Sequence, residues 1–225
     1  MNMWSVVGFV VLVLLIGVGY TAQRLMRLQG PTQGTVIDTA NRGQAALLVL
    51  DVQEDFTKDT KARQWPAGFV EERIARINAL AAEAQARGET VITTRLIYEG
   101  GYTNFLIGLL GEGLGTKGSD GLELDTRLRF QPDADIVKSV GDAFASDELE
   151  AILKTHGVGR LRIAGLDGCY CVKSTALGAL GRGYAVELAE DAVLSIDPKG
   201  WAECRTELIS KGVELVNSAE LAEAQ

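Results

Sequence analysis

The sequence predicts a three-layer α/β sandwich with a parallel sheet at its centre. Three observations carry the prediction. Short apolar runs of strand length alternate with longer segments of helical period along most of the 225 residues. The strand-like runs are apolar at almost every position, as strands covered on both faces must be. Several of them end in a charged or reactive residue, which is where open α/β sheets place their sites.

The first element is an apolar segment. Residues 3–20 form an unbroken run of apolar and small side chains with one Ser and no charge. As a helix rising about 1.5 Å per residue the run spans roughly 27 Å, just short of a typical hydrocarbon core. Arg24 and Arg27 follow it and no basic residue precedes it. A cleaved signal peptide would begin with a basic region and end at a small-residue site. Residues 1–23 are therefore expected to be a single-pass transmembrane anchor, with the arginines holding the rest of the chain on the cytoplasmic side. Residues 24–43, with Gly30, Pro31 and Gly34, read as a tether. Residues 44–225 suit one domain.

Within the domain, 45–51 is the first predicted strand. Residues 69–87 form a helix, with Ile74, Ile77, Leu80, Ala81 and Ala84 on one face and Gly88 as the stop. Strands are expected at 90–96 and 135–139. A helix capped by Ser146 runs to His156. Further strands follow at 161–166, 184–189 and 213–216, with helices at 172–180 and 199–211. Residues 97–130 break the rhythm. They hold eight glycines and one short helix, 104–110; an insert of this kind serves as a substrate loop or as an oligomer interface.

Composition narrows the function. At 47% hydrophobic and 23% charged, the chain has the makeup of a folded domain rather than a disordered one. A net charge of -8 without Lys/Arg clusters argues against nucleic acid as a partner. Three cysteines do not suit a disulfide framework. Cys169 and Cys171 are too close in sequence to bridge without strain, so free thiols in a reducing compartment are expected.

Cys171 is the leading chemical candidate. It follows the 161–166 strand and opens a helix, so it sits at the positive end of a helix dipole, which favours thiolate. Gly165 and Gly168 permit close backbone approaches beside it. Asp51 ends the first strand and Lys138 lies at the third, so all three belong to one edge of the sheet. Each alone has an ordinary reading: a turn residue, a solvated charge, a packed thiol. Together they supply a base, a cation and a nucleophile. Trp65 and Tyr98, with Tyr102 and Phe105, are candidates to line a small pocket; packing of loops onto the core is the competing reading.

Motifs sharpen this. Leu47-Leu48-Val49-Leu50-Asp51-Val52-Gln53-Glu54-Asp55-Phe56 resembles the first motif of the isochorismatase-like cysteine hydrolases, which include nicotinamidases. Val137-Lys138 with Ala143-Phe144 resembles the second. Gly165-Leu166, Tyr170-Cys171-Val172, Thr175-Ala176, Gly183-Tyr184 and Asp191-Ala192 resemble the third. The resemblance covers roughly residues 45–216. It implies a six-stranded parallel sheet in the order 3-2-1-4-5-6. It implies an Asp51–Lys138–Cys171 triad, an oxyanion hole from the backbone N–H groups of Asp167 and Cys171 with a cis Leu166–Asp167 bond, and a thioester intermediate. Phe56, within the first motif, joins Trp65 and Tyr98 as a substrate-binding candidate. Self-association is common in the family, which implies a homo-oligomer.

Three departures matter. Nicotinamidases carry an Asp/His metal site after the second strand, but residues 93–98 here contain no His, and the single histidine, His156, lies at a helix end. No metal and no cofactor are expected. Gly168-Cys169 replaces the family's Thr-Asp pair, so Cys169 is either a helix-start residue or a resolving thiol. Asp167 puts a carboxylate where many members have a small residue, pointing into the pocket or away from it. The expected function is a membrane-anchored cysteine hydrolase of small amides or related C–N bonds. The alternatives are a vinyl-ether hydrolase of the isochorismatase type and a degenerate membrane-bound scaffold.

Overall fold

A computed structural model describes residues 3–38, 41–61 and 63–218; the side chains at 3–8, 10, 11 and 13 lie outside the described set. The elements in order are α1 (Met3–Gln29), β1 (Gln44–Leu50), α2 (Glu54–Thr57), α3 (Phe69–Ala86), β2 (Thr90–Leu96), α4 (Gly101–Leu110) and β3 (Ala134–Lys138). A 3-10 turn, Ala143–Ala145, leads to α5 (Asp147–Thr155) and β4 (Val158–Leu166). A π-helical turn, Gly168–Val172, then opens α6 (Lys173–Gly181), followed by β5 (Ala185–Leu194), α7 (Pro198–Ser210) and β6 (Glu214–Val216).

The six strands pair in parallel in the order β3-β2-β1-β4-β5-β6. Their all-apolar character has the expected cause. Leu47 and Val49 of β1 pack under α3 with Ile74, Ile77, Leu80 and Ala84. Ala46, Leu48 and Leu50 point to the other face and meet Leu149 and Leu153 of α5 and Ala176 and Ala179 of α6. Burial on two faces leaves no polar alternation to read.

Two strands outrun their expected bounds. β4 starts at Val158 and β5 continues to Leu194. Charged residues hid both extensions. Arg160 and Arg162 of β4 are paired to Glu187 of β5, while the Asp191 carboxylate accepts from the Ser218 N–H at 2.9 Å. Ser146 stands at the start of α5 but makes no side-chain capping bond; Asp147, Glu148 and Glu150 in the first turn complement the helix dipole instead.

The N-terminal expectations need correction. The 3–20 run is helical, within α1. Among the described residues, however, no helix is long and apolar enough to cross a membrane, and part of the expected span lies outside the described side chains. Nor is the segment after α1 a free tether. The Thr32 N–H and hydroxyl donate to Asp142 at 2.6 and 2.7 Å, and Arg182 donates to the Thr32 and Gln33 carbonyls at 3.0 and 3.1 Å. Asp142 and Arg182 are both buried. Buried charges need partners, and this strap supplies them.

The expectation of three free thiols is also overturned. Cys169 is joined to Cys204 of α7 by a disulfide, leaving Cys171 as the free, buried cysteine. Sequence spacing tested Cys169 only against its near neighbour Cys171. The docking of α7 beside the π-helical turn brings a distant partner within reach.

Candidate active site

The carboxyl ends of β1, β3 and β4 converge on one point. β1 stops at Leu50, and Asp51 turns out of the sheet with φ 52°, in the left-handed region that costs a non-glycine residue energy. Its backbone N–H donates to the Thr94 carbonyl at 3.0 Å. Its carboxylate accepts from the Thr94 hydroxyl at 2.7 Å and from Lys138 Nζ at 2.7 Å. Lys138 reaches across the end of β2 from β3 and is buried with Asp51. Its other hydrogens go to the carbonyls of Val140 and Gly141, at 3.1 and 2.9 Å. The ammonium thus has oxygen partners around it, which is what a buried cation requires.

Cys171 completes the group, close enough to Asp51 and Lys138 for hydrogen bonds and direct charge interaction. Burial pushes the Cys171 thiol up, the Asp51 charge adds to this, and the Lys138 ammonium opposes without prevailing. The balance favours the thiol over the thiolate that the helix dipole alone suggested. Burial also works against the Lys138 charge, but Asp51 and Cys171 outweigh it and hold the ammonium's pKa above its ordinary value.

The turn carrying Cys171 is built by Gly165, Asp167 and Gly168. A side chain at Gly165, where φ is 107°, would collide with the Leu50 carbonyl, so glycine lets β4 lie against β1 here. Gly168 leaves room for the Trp201 ring, which makes Trp201 a packing residue. The Leu166–Asp167 peptide bond is cis, as expected. The Asp167 carboxylate is taken up by its own turn and by the residues after β5. It accepts from the N–H groups of Cys169 and Ile196 at 3.1 and 3.0 Å and from the Ser195 hydroxyl at 3.1 Å. Burial raises its pKa against these three donors. Asp167 thus ties the nucleophile's turn to the end of β5.

The pocket candidates separate. Burial pushes the Tyr98 phenol up, and Cys171 and Asp51 lie close enough to add to this as acidic neighbours. Phe56 is buried, and Phe56 and Tyr98 crowd the same glycine of the insert, Gly115. Trp65 stacks on Phe69 at 5.7 Å and donates to the Phe56 carbonyl at 3.3 Å; it backs Phe56. Tyr102 and Phe105 are exposed on α4, so the expectation that they line the pocket fails. An apolar, glycine-rich helix gave no sign of which way it faces.

Three supporting residues escaped sequence reasoning. Thr94 orients Asp51; the signal was a hydroxyl inside an otherwise buried strand. Gln53 bridges to β2, accepting from the Leu96 N–H at 2.6 Å and donating to the Leu96 carbonyl at 3.3 Å. Asp55 accepts from the Gly115 N–H at 2.7 Å and the Ser119 hydroxyl at 2.6 Å, fastening the insert over the site. The end of β2 offers Thr94, Arg95 and Tyr98, with Arg95 paired to Asp135 and Glu123. Among the described residues no group of three His, Cys, Asp or Glu can hold a metal ion. The residues do not fit the metal site of nicotinamidases.

Known proteins are similar to this chain in sequence and fold. The Isochorismatase domain family model matches residues 45–220. A probable inactive nicotinamidase of Arabidopsis thaliana is 30% identical over 169 residues, covering 68% of this chain and 82% of that protein. The crystal structure of the pyrazinamidase of Pyrococcus horikoshii, in complex with zinc, superposes with a TM-score of 0.65 at 28% identity, over 77% of this chain and 99% of that one. N-carbamoylsarcosine amidase from Thermoplasma acidophilum shares the fold, with a TM-score of 0.64 at 24% identity over 78% and 96% of the two chains. The sheet order, the strand-end cluster and the extent of the family match agree: this chain belongs to the isochorismatase-like family of cysteine hydrolases.

Proposed function

We propose that the chain hydrolyses the C–N bond of small amides or related compounds through Asp51, Lys138 and Cys171. The observation that carries this reading is the buried Asp51–Lys138 ion pair beside a free thiol, at the ends of three strands. Cys171 Sγ attacks the carbonyl carbon as Asp51 takes the thiol proton. Lys138 holds the Asp51 carboxylate in place and offsets the negative charge growing on sulfur. The carbonyl oxygen becomes an oxyanion, received by the backbone N–H groups of Asp167 and Cys171. The C–N bond breaks, Asp51 passes its proton to the leaving amine, and the acyl group stays on sulfur as a thioester. Water then adds, giving a proton to Asp51. The C–S bond breaks, the proton returns to sulfur, and a carboxylic acid leaves. Phe56 and Tyr98 are the side chains best placed to hold the substrate.

A degenerate scaffold is the competing reading, favoured by the description of the Arabidopsis relative as inactive. A panel of small primary amides and N-carbamoyl compounds, scored by ammonia release, separates the two. Under the hydrolase reading at least one substrate turns over, and Cys171→Ala lowers kcat/KM by roughly 10³-fold or more. Turnover that survives Cys171→Ala removes the thioester route, and a silent panel with an intact fold favours the scaffold.

The reading extends to a membrane location for the chain, with α1 as the tether. Leu14, Leu15, Ile16 and Val18 of α1 are all exposed, continuing the uncharged 3–20 run. A helix apolar on every face needs cover. Arg24 and Arg27 favour the cytoplasmic side for the domain. The Cys169–Cys204 bridge favours an oxidising one. Protease accessibility of the domain in intact cells decides between them.

A further inference from the structure

The insert presents a second apolar surface beside α1. Residues 100–111, Gly-Gly-Tyr-Thr-Asn-Phe-Leu-Ile-Gly-Leu-Leu-Gly, carry no charge. Within them α4 turns Thr103 and Leu106 inward and buries them. Beside them Tyr102, Phe105 and Leu109 face out, and Leu110 is open at the C-terminal end of the helix; Phe105, Leu109 and Leu110 are at 65, 69 and 69% exposure. Tyr102, Phe105 and Leu109, spaced i, i+3, i+7, form one stripe of the helix. Three large side chains left this open on ten residues are an unpartnered surface, not scattered exposure.

Its surroundings say what covers it. The Tyr102 ring lies 5.7 Å from that of Tyr20, and its hydroxyl is 2.5 Å from that of Thr21, so α4 is docked on α1 at the C-terminal end of the apolar run. Arg24 reaches the start of α4 at Gly100. Two tyrosines and an arginine therefore lie where the apolar part of α1 meets the domain. That is the composition of a membrane–water interface, where amphipathic rings and basic groups sit at headgroup level. A short apolar helix held at that level lays its open face into the boundary between headgroups and acyl chains.

We propose that α4 is an interfacial helix, inserting Phe105 and Leu109 of its outward stripe, with Leu110 at its open end, into the lipid surface that receives α1. This rests on α1 being the tether. It goes beyond a tether because it orients the domain. The chain continuing from α4 packs Gly115 against Phe56 and Tyr98 and is pinned by Asp55, so docking of α4 holds the site's covering loop at the bilayer surface.

The test uses the full chain reconstituted into phosphatidylcholine/phosphatidylglycerol vesicles. A photoreactive p-benzoylphenylalanine replaces Phe105 or, as a control, Ile209, which is exposed on α7. After flotation and irradiation, lipid adducts are read by mass spectrometry. The proposal expects lipid adducts at position 105 several-fold above those at position 209. Equal yields at the two positions, or crosslinks from 105 to a second copy of the chain in place of lipid, overturn it while leaving the tether intact. A chain that does not float with the vesicles removes the tether and this inference together.

Discussion

At the scale of single residues, the site opposes two tendencies of a cysteine at a helix start. The helix dipole and Lys138 draw the thiol toward ionisation, while burial and the Asp51 carboxylate hold it neutral, and the second pair prevails. In the proposed reaction this balance favours a Cys171 that gives its proton to Asp51 during attack over one stored as thiolate. Iodoacetamide should modify it more slowly than glutathione at pH 7, with the rate climbing only above the ordinary thiol range near pH 8.5. Lys138→Met should slow it further, because the one opposing charge is gone. Rapid alkylation at neutral pH would contradict this balance. The same shift has a stability consequence with a definite sign. Below about pH 8.5 the thiol is protonated in both folded and unfolded chains, and its contribution is complete. Above that, the unfolded chain loses the proton first, so wild type should lose stability as pH rises, more steeply than Cys171→Ala in parallel urea titrations.

At the scale of elements, the Gly-rich insert is held by one carboxylate. Asp55 satisfies the Gly115 N–H and the Ser119 hydroxyl, and its own N–H donates to the Gly121 carbonyl at 2.9 Å. Asp55→Ala leaves the Gly115 donor unpaired, at a cost of about 1–3 kcal/mol. The hydrogen bonds of the Asp55 carboxylate go to the insert and not to Asp51, Lys138 or Cys171, so in the proposed reaction it is a positioning residue. Faster amide exchange over 111–126 is expected, with KM raised more than kcat lowered. Unchanged exchange across the insert would show that another contact holds it. The strands and α3 were legible because apolar period and the Gly88 stop act locally. The insert was not, because hydrogen bonds to Asp55, 60 or more residues away in sequence, determine its path.

At the scale of the molecule, α7 is tied to the nucleophile's turn twice, through Trp201 on Gly168 and through the Cys169–Cys204 bridge. The bridge closes a loop of 35 residues, and removing a cross-link of that size costs about 2–4 kcal/mol. Cys204→Ala should therefore melt below wild type under non-reducing conditions, and the difference should vanish when both are fully reduced. Equal melting temperatures without reductant would show that the bridge adds nothing to the fold. The strap of residues 30–38 works at the same scale. By pairing Asp142 and Arg182 it makes the segment after α1 part of the domain rather than a spacer.

The sequence by itself determined the sandwich and the chemistry-bearing edge. Alternating apolar runs specify strands buried on two faces, and Asp51, Lys138 and Cys171 each follow or end a strand, so any parallel sheet puts them on one side. Only the tertiary structure decided how they meet. Lys138 reaches Asp51 because β2, with Thr94, lies between their strands, and the state of Cys171 depends on burial that no local pattern reports. The partner of Cys169, the donors to Asp167 and the open face of α4 were likewise decided there. Each depends on which distant element packs alongside, and a chain's local period carries no information about that.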